Sequence, residues 1–195
     1  MKIAGFLPLS LCDYPGHIAA VIFTQGCNFR CPFCHNGHLI PEGAEGIEML
    51  EASSVFSILE ERRTRLQGVV VSGGEPTLHS GLRRFLEKVK AIGLKTKLDT
   101  NGAQPSVLRD LLDLKLLDFV AMDIKAPWHK YNSLSGVNCD VTTLQQSVDL
   151  IAASGVDHQF RTTQAHHLLD EADYIAIKAQ VPAASPHVWQ AYREV

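Results

Sequence analysis

Along the chain, runs of β-branched apolar residues alternate with stretches in which apolar positions recur every three or four residues. Ile18 to Thr24 (IAAVIFT) is such a run, ending at Gln25-Gly26, and predicts a buried strand. Ala52 to Leu66 carries Val55, Phe56, Leu59 and Leu66 among charged residues, which predicts an amphipathic helix capped near Ser53 or Ser54. The pattern then repeats. Strands are predicted at Gly68 to Ser72, Leu94 to Thr100, Asp118 to Ile124 and Val156 to Thr162. Helices are predicted at Leu82 to Ile92, Pro105 to Leu114 and Thr143 to Ala153, the first and last stopped by Gly93 and Gly155. A last helix near Asp170 to Gln180 and a strand near His187 to Tyr192 complete the series; Tyr174 to Ala179 fits either type, and helix preserves the alternation. Repeated βα units imply a parallel sheet with right-handed crossovers. A closed eight-unit barrel takes about 250 residues, so 195 residues predict an α/β fold of about six units: an incomplete parallel (β/α)6 barrel, open at one side.

Composition narrows the class without naming it. A hydrophobic fraction of 46% and a charged fraction of 20% are those of a folded globular chain, which argues against disorder. No linker-like stretch interrupts it, so one domain over residues 1–195 is expected. A net charge of -3 with mixed signs offers no footprint for nucleic acid, and no apolar run approaches the roughly 20 residues that span a bilayer. Met1-Lys-Ile-Ala-Gly-Phe-Leu-Pro lacks the apolar core and cleavage site of a secretory signal, so a reducing, cytoplasmic compartment is expected.

Candidate chemistry concentrates at Cys27-Asn-Phe-Arg-Cys31-Pro-Phe-Cys34, three thiols within eight residues. Pro32 disfavours helix at Cys31, so the segment is expected to be a loop around a metal. Thiolates select zinc, copper(I) or iron-sulfur centres. Zinc would need a fourth ligand from Cys12, His35 or His38, and the second ligand pair of a structural zinc site is absent. A cubane held by three cysteines keeps one iron open for a ligand. Cys12 and Cys139 read as ordinary thiols, and His166 and His167 as solvated loop residues.

The other predicted strands also end in chemistry-bearing sequence, at the face where parallel barrels place their sites. Ser72-Gly73-Gly74-Glu75-Pro76 combines two glycines, which allow close backbone approach, with a carboxylate able to accept from an ammonium group; alone, it reads equally as a tight turn. Asp99-Thr100-Asn101-Gly102 contains a turn signal. Asp123 and Lys125, two apart, share one strand face, as a salt-bridge pair or a ligand site. Arg161 reads as a carboxylate fork or as a surface arginine capping the next helix.

The cysteine spacing, with aromatic Phe33 before the last thiol, resembles the cluster loop of radical S-adenosylmethionine (radical SAM) enzymes. Together with SGGEP, LDTNG, DIK and FRTT it resembles the activases of glycyl radical enzymes, and among them the anaerobic ribonucleoside-triphosphate reductase activating proteins. After FRTT, the segment beginning Gln164 lacks the proline-glycine turn common in that group. The resemblance implies a 4Fe-4S cluster on Cys27, Cys31 and Cys34, with S-adenosylmethionine on its open iron and cleaved reductively to a 5'-deoxyadenosyl radical. It implies cofactor contacts from Phe33 at the adenine, Ser72, Gly73, Gly74 and Glu75 at the methionine amino group, and Asp99, Asn101, Asp123, Lys125 and Arg161. Asp99, Thr100 and Asp123 would form a polar floor, or one that carries a monovalent cation. The implied partners are a glycyl radical enzyme, with anaerobic ribonucleotide reductase preferred, and a low-potential donor such as flavodoxin or ferredoxin. Chemistry on a small molecule such as a deazapurine precursor, and a cluster-bearing electron carrier, are the competing expectations.

Overall fold

The computed structural model describes residues 1–40 and 48–193. Seven strands form one sheet in sequential order: β1 (Ile3–Ser10), β2 (Ala19–Thr24), β3 (Gly68–Gly73), β4 (Lys95–Thr100), β5 (Phe119–Asp123), β6 (Asp157–Gln164) and β7 (His187–Ala191). Strands β2 to β7 run parallel, each to the next, and are the six expected units. β1 and β7 are the two edges, so the barrel is open as predicted. One strand was not anticipated. β1 pairs antiparallel with β2, because the turn from Leu11 to Ile18 is too short for a crossover.

The crossovers contain α1 (Ala52–Arg62), α2 (Leu82–Ala91), α3 (Pro105–Asp113), α4 (Tyr131–Ser135), α5 (Val141–Ala153) and α6 (Glu171–Gln180). α2 buries Leu82, Phe85, Leu86 and Val89, the predicted stripe, each side chain contributing about 1.5–3 kcal/mol by leaving water. α1 differs from expectation at both ends: Glu51 is its N-cap without a side-chain bond, so neither Ser53 nor Ser54 caps it, and it stops at Arg62. The ambiguous Ala-rich stretch is helical, started by a capping box in which Asp170 and Asp173 each accept the other's backbone N–H. Among the described residues no helix is long and apolar enough to cross a membrane.

The sheet has two unlike faces. Its outer face, with Ile22, Val71, Leu98, Val120, Met122 and Phe160, packs under the helices as the main core. Its inner face holds a small cluster of Tyr14, Ala19, Val21 and Val70, with Phe23 and Phe119 against it. Tyr14 packs where Gly68 lacks a side chain; a Cβ there would stand 2.8 Å from its ring. The polar inner residues lie further along the same strands, towards their C-terminal ends.

Candidate functional site

The cysteine loop leaves β2 and is anchored across the fold. Arg30 N–H donates to Ser135 O at 2.7 Å, and the Cys31 thiol lies 3.9 Å from the same carbonyl. Gly136 then leaves α4 in a left-handed conformation, φ 70°, where a Cβ would collide with the Arg30 carbonyl. Cys31 is buried, and Cys27 and Cys34 are half-buried. Burial pushes the Cys27 thiol up to about 11, against the pull of the hydrogen bond it accepts from Phe29 N–H at 3.4 Å, and it raises Cys31 as well. A ligand must therefore displace protons to bind these sulfurs.

The double glycine is a seam between loops. Gly74 N–H donates to Thr24 O and Glu75 N–H to Gly26 O, both at 2.8 Å, and a Cβ on Gly73 or Gly74 would collide with those backbones. Glu75 is fully buried below the seam. Its Oε1 accepts from Thr77 N–H at 3.0 Å, the Thr77 hydroxyl at 2.5 Å and the Thr100 hydroxyl at 2.9 Å, while Oε2 accepts from Asn101 N–H at 2.7 Å. Burial raises its pKa, opposed by these four donors, which favour the ionised form. Asn101 carries the tie onward, donating to Asn28 Oδ1 at 2.8 Å beside Cys27.

Register sets the charges in line. β4 pairs Asp99 with Ala121, and β5 pairs Asp123 with Arg161, so these side chains share the inner face. The result is a ladder of alternating sign. Lys97, 1% exposed, pairs with Asp99; Arg161 lies between Asp99, at 3.3 Å, and Asp123, at 2.9 Å; Lys125 reaches Asp123 at 3.4 Å. Burial would raise the Asp123 carboxyl, but Arg161 and then Lys125 hold it below the usual carboxylate range. Arg161 is thus an inner-face residue and not a surface cap.

A cavity of about 320 Å3 opens over this ladder. It is lined by Cys27, Cys31, Cys34, Phe33, Ser72, Gly73, Gly74, Asp99, Asn101, Asp123, Lys125 and Arg161. Glu75 stands outside that lining, one layer below. The sequence reading missed Asp13, Phe23, Thr163 and Gln190, which also line it, and Lys97, whose place two residues before Asp99 was a legible sign of a shared face. Cys12 is exposed, next to Ser10 and Asp13. Among the described residues no group of three or more His, Cys, Asp or Glu is close enough to hold a single metal ion. A cubane takes one thiolate per iron, so its ligands surround a volume instead of converging on a point. Three thiols on the wall of one cavity fit that demand. The carboxylates do not call for a further cation, since Lys97, Arg161 and Lys125 already answer Asp99 and Asp123.

Residues 21–173 match the model of the Radical SAM superfamily, and the chain belongs to that superfamily. A relative in Methanocaldococcus jannaschii, provisionally named a glycyl-radical enzyme activating enzyme, is 34% identical over 176 residues, covering 88% of this chain and 71% of that protein. The 7-carboxy-7-deazaguanine synthase of Hyperthermus butylicus is 27% identical over 183 residues, covering 90% of this chain and 69% of that protein. Among solved structures, Streptococcus suis SuiB bound to S-adenosylmethionine aligns with a TM-score of 0.69 at 17% identity, over 90% of this chain and 40% of that one, a likeness of fold. The family expected from the motifs is the family found, and the chain is a radical SAM enzyme by membership.

Proposed function

We propose that this chain, as one radical SAM domain over residues 1–195, installs a glycyl radical on a partner protein, with anaerobic ribonucleotide reductase as the preferred partner. The observation that carries the reading is the meeting of all three cysteines with the SGG seam, Asn101 and the charge ladder on one cavity. Cys27, Cys31 and Cys34 would hold a 4Fe-4S cluster, and the amino and carboxylate groups of S-adenosylmethionine would take its open iron. When bound, the pair supplies reductive cleavage of the sulfonium and hydrogen abstraction from carbon, fed by a low-potential donor such as flavodoxin or ferredoxin. The protein's share is placement and exclusion of water. Phe33 would pack beside the adenine, Ser72 to Gly74 would face the methionine end, and Lys125 would meet the carboxylate or ribose. Glu75 acts through the seam, by fixing Thr100 and Asn101. A reducing cytoplasm suits free thiolates.

The 34% identity to the Methanocaldococcus jannaschii relative supports a protein substrate. A second reading, a small substrate such as a deazapurine precursor, has the Hyperthermus butylicus relative in its favour. Anaerobic mixing with candidate reductase, S-adenosylmethionine and reductant, followed by electron paramagnetic resonance, separates them. A radical on the reductase is expected. Consumption of a deazapurine precursor with no radical on any reductase would replace the first reading with the second.

A further inference from the structure

β7 is an edge that faces two cavities at once. Gln190 lines the cavity with the cysteines, while its neighbour Trp189 lines a separate groove of about 640 Å3 on the opposite face, with Leu169, Tyr174 and Ile175. Successive strand residues point to opposite faces, so this division follows from the pleat. Those four apolar side chains form one continuous surface, in which Tyr174 meets Trp189 edge-on at 5.5 Å and Ile175 is 72% exposed, and Gln164, His166, Asp170, Glu171 and Lys178 complete the lining. Among the described residues no strand lies beyond β7.

The pairing with β6 fixes which backbone groups are free. Phe160 N–H donates to Pro186 O at 2.9 Å, and parallel pairing turns every second residue of a strand to the same neighbour. Pro186, Val188 and Gln190 therefore face β6, whereas His187, Trp189 and Ala191 present N–H and C=O outward. The opposite edge is partly occupied: Leu50 N–H donates to Ile3 O on β1 at 2.8 Å.

We propose that the outer edge of β7 binds an extended segment of the partner protein as an added strand. It rests on the protein-substrate reading above and specifies how that substrate is held. In an added strand alternate residues point the same way, so a residue directed into the cysteine cavity has both neighbours directed into the Trp189 groove. Glycine suits the first position, since without a side chain its Cα approaches closely. Large apolar or aromatic residues suit the flanks. The recognised chemistry is an extended apolar-Gly-apolar segment, its backbone giving affinity and the groove giving selectivity.

The test uses the full chain, anaerobically reconstituted, and two fluorescently labelled peptides: Val-Thr-Phe-Gly-Phe-Thr-Val, and the same with Asp for both Phe. The first is expected to bind, the second about tenfold or more weaker. Ala191→Pro removes an outward N–H and spares the β6 ladder, so it should weaken the first peptide about three- to tenfold. Amide exchange at Trp189 and Ala191 in the unsubstituted protein should slow when that peptide is added. No binding, equal affinity for both peptides, or protection on β1 instead would overturn the proposal. So would concentration-dependent protection without peptide, which assigns the edge to a second copy. Cleavage of S-adenosylmethionine by the same preparation is read separately: cleavage without peptide binding removes the edge proposal alone, and binding without cleavage removes the activase reading alone.

Discussion

Asp118 and Asp123 stand at opposite ends of one strand and do different work. Asp118, just before β5, is closed off: Lys90 reaches both its oxygens, at 2.7 and 2.8 Å, and Thr96 N–H donates at 2.7 Å. Asp123, at the other end, shares Arg161 with Asp99 and Lys125 with the cavity. Both carboxyls are held below their ordinary range. The difference lies in what each carboxylate faces. At the lower end Asp118 is answered by Lys90 and Thr96 and serves the fold. At the upper end Lys97, Arg161 and Lys125 alternate with Asp99 and Asp123, and Asp13, Asp99, Asp123, Lys125 and Arg161 all face the cavity beside three thiols.

Perturbing each end should separate stability from chemistry. The largest loss of stability is expected from Glu75→Ala, which strands four donors in a dry seam: about 3–5 kcal/mol, read from denaturant midpoints. Unchanged stability with lost cofactor affinity would instead move Glu75 from the seam into the ligand site.

Asp118→Asn should cost less than about 1 kcal/mol, because the Lys90 pair is part-exposed and screened. Burial raises this carboxyl, but Lys90 and Thr96 outweigh it and depress the folded pKa. The stabilisation is therefore fully present above the unfolded value of about 3.9 and is lost as pH falls through the folded one. Unfolding curves of parent and variant should differ at pH 6 and converge in stronger acid; a difference that grows in acid would reverse the assignment. Smallest is Glu87→Ala, which removes an exposed i,i+4 pair with Arg83 and should shift stability by no more than about 0.5 kcal/mol.

β2, β3 and β5 were legible as short apolar runs, β4, β6 and β7 by their place in the alternation after helices that stop at a glycine or a turn, and α2 because its stripe repeats at helical spacing. β1 was not. Gly5 and Pro8 interrupt its pattern, and only Ile3 and Ser10 are buried, as befits an edge strand with a partly solvated face. The short helix α4 escaped for a related reason, since five residues carry no period. In the site, the cysteines and the inner-face pairs were readable because they are local in sequence. The place of Glu75 was not, because its partners Thr100 and Asn101 lie about a strand and a helix away and only the fold brings them under the seam. Gln190 is similar: nothing near it in sequence marks it, and the β6 register carries it to the cavity by pairing it with Thr163.

The most direct measurement is 5'-deoxyadenosine release after anaerobic reconstitution with iron and sulfide, on adding S-adenosylmethionine and dithionite, with Cys31→Ala alongside. Release by the parent and none by the variant, both folded, is the expected result. An intact cluster in the parent with no release would contradict the assignment of this cavity to S-adenosylmethionine cleavage.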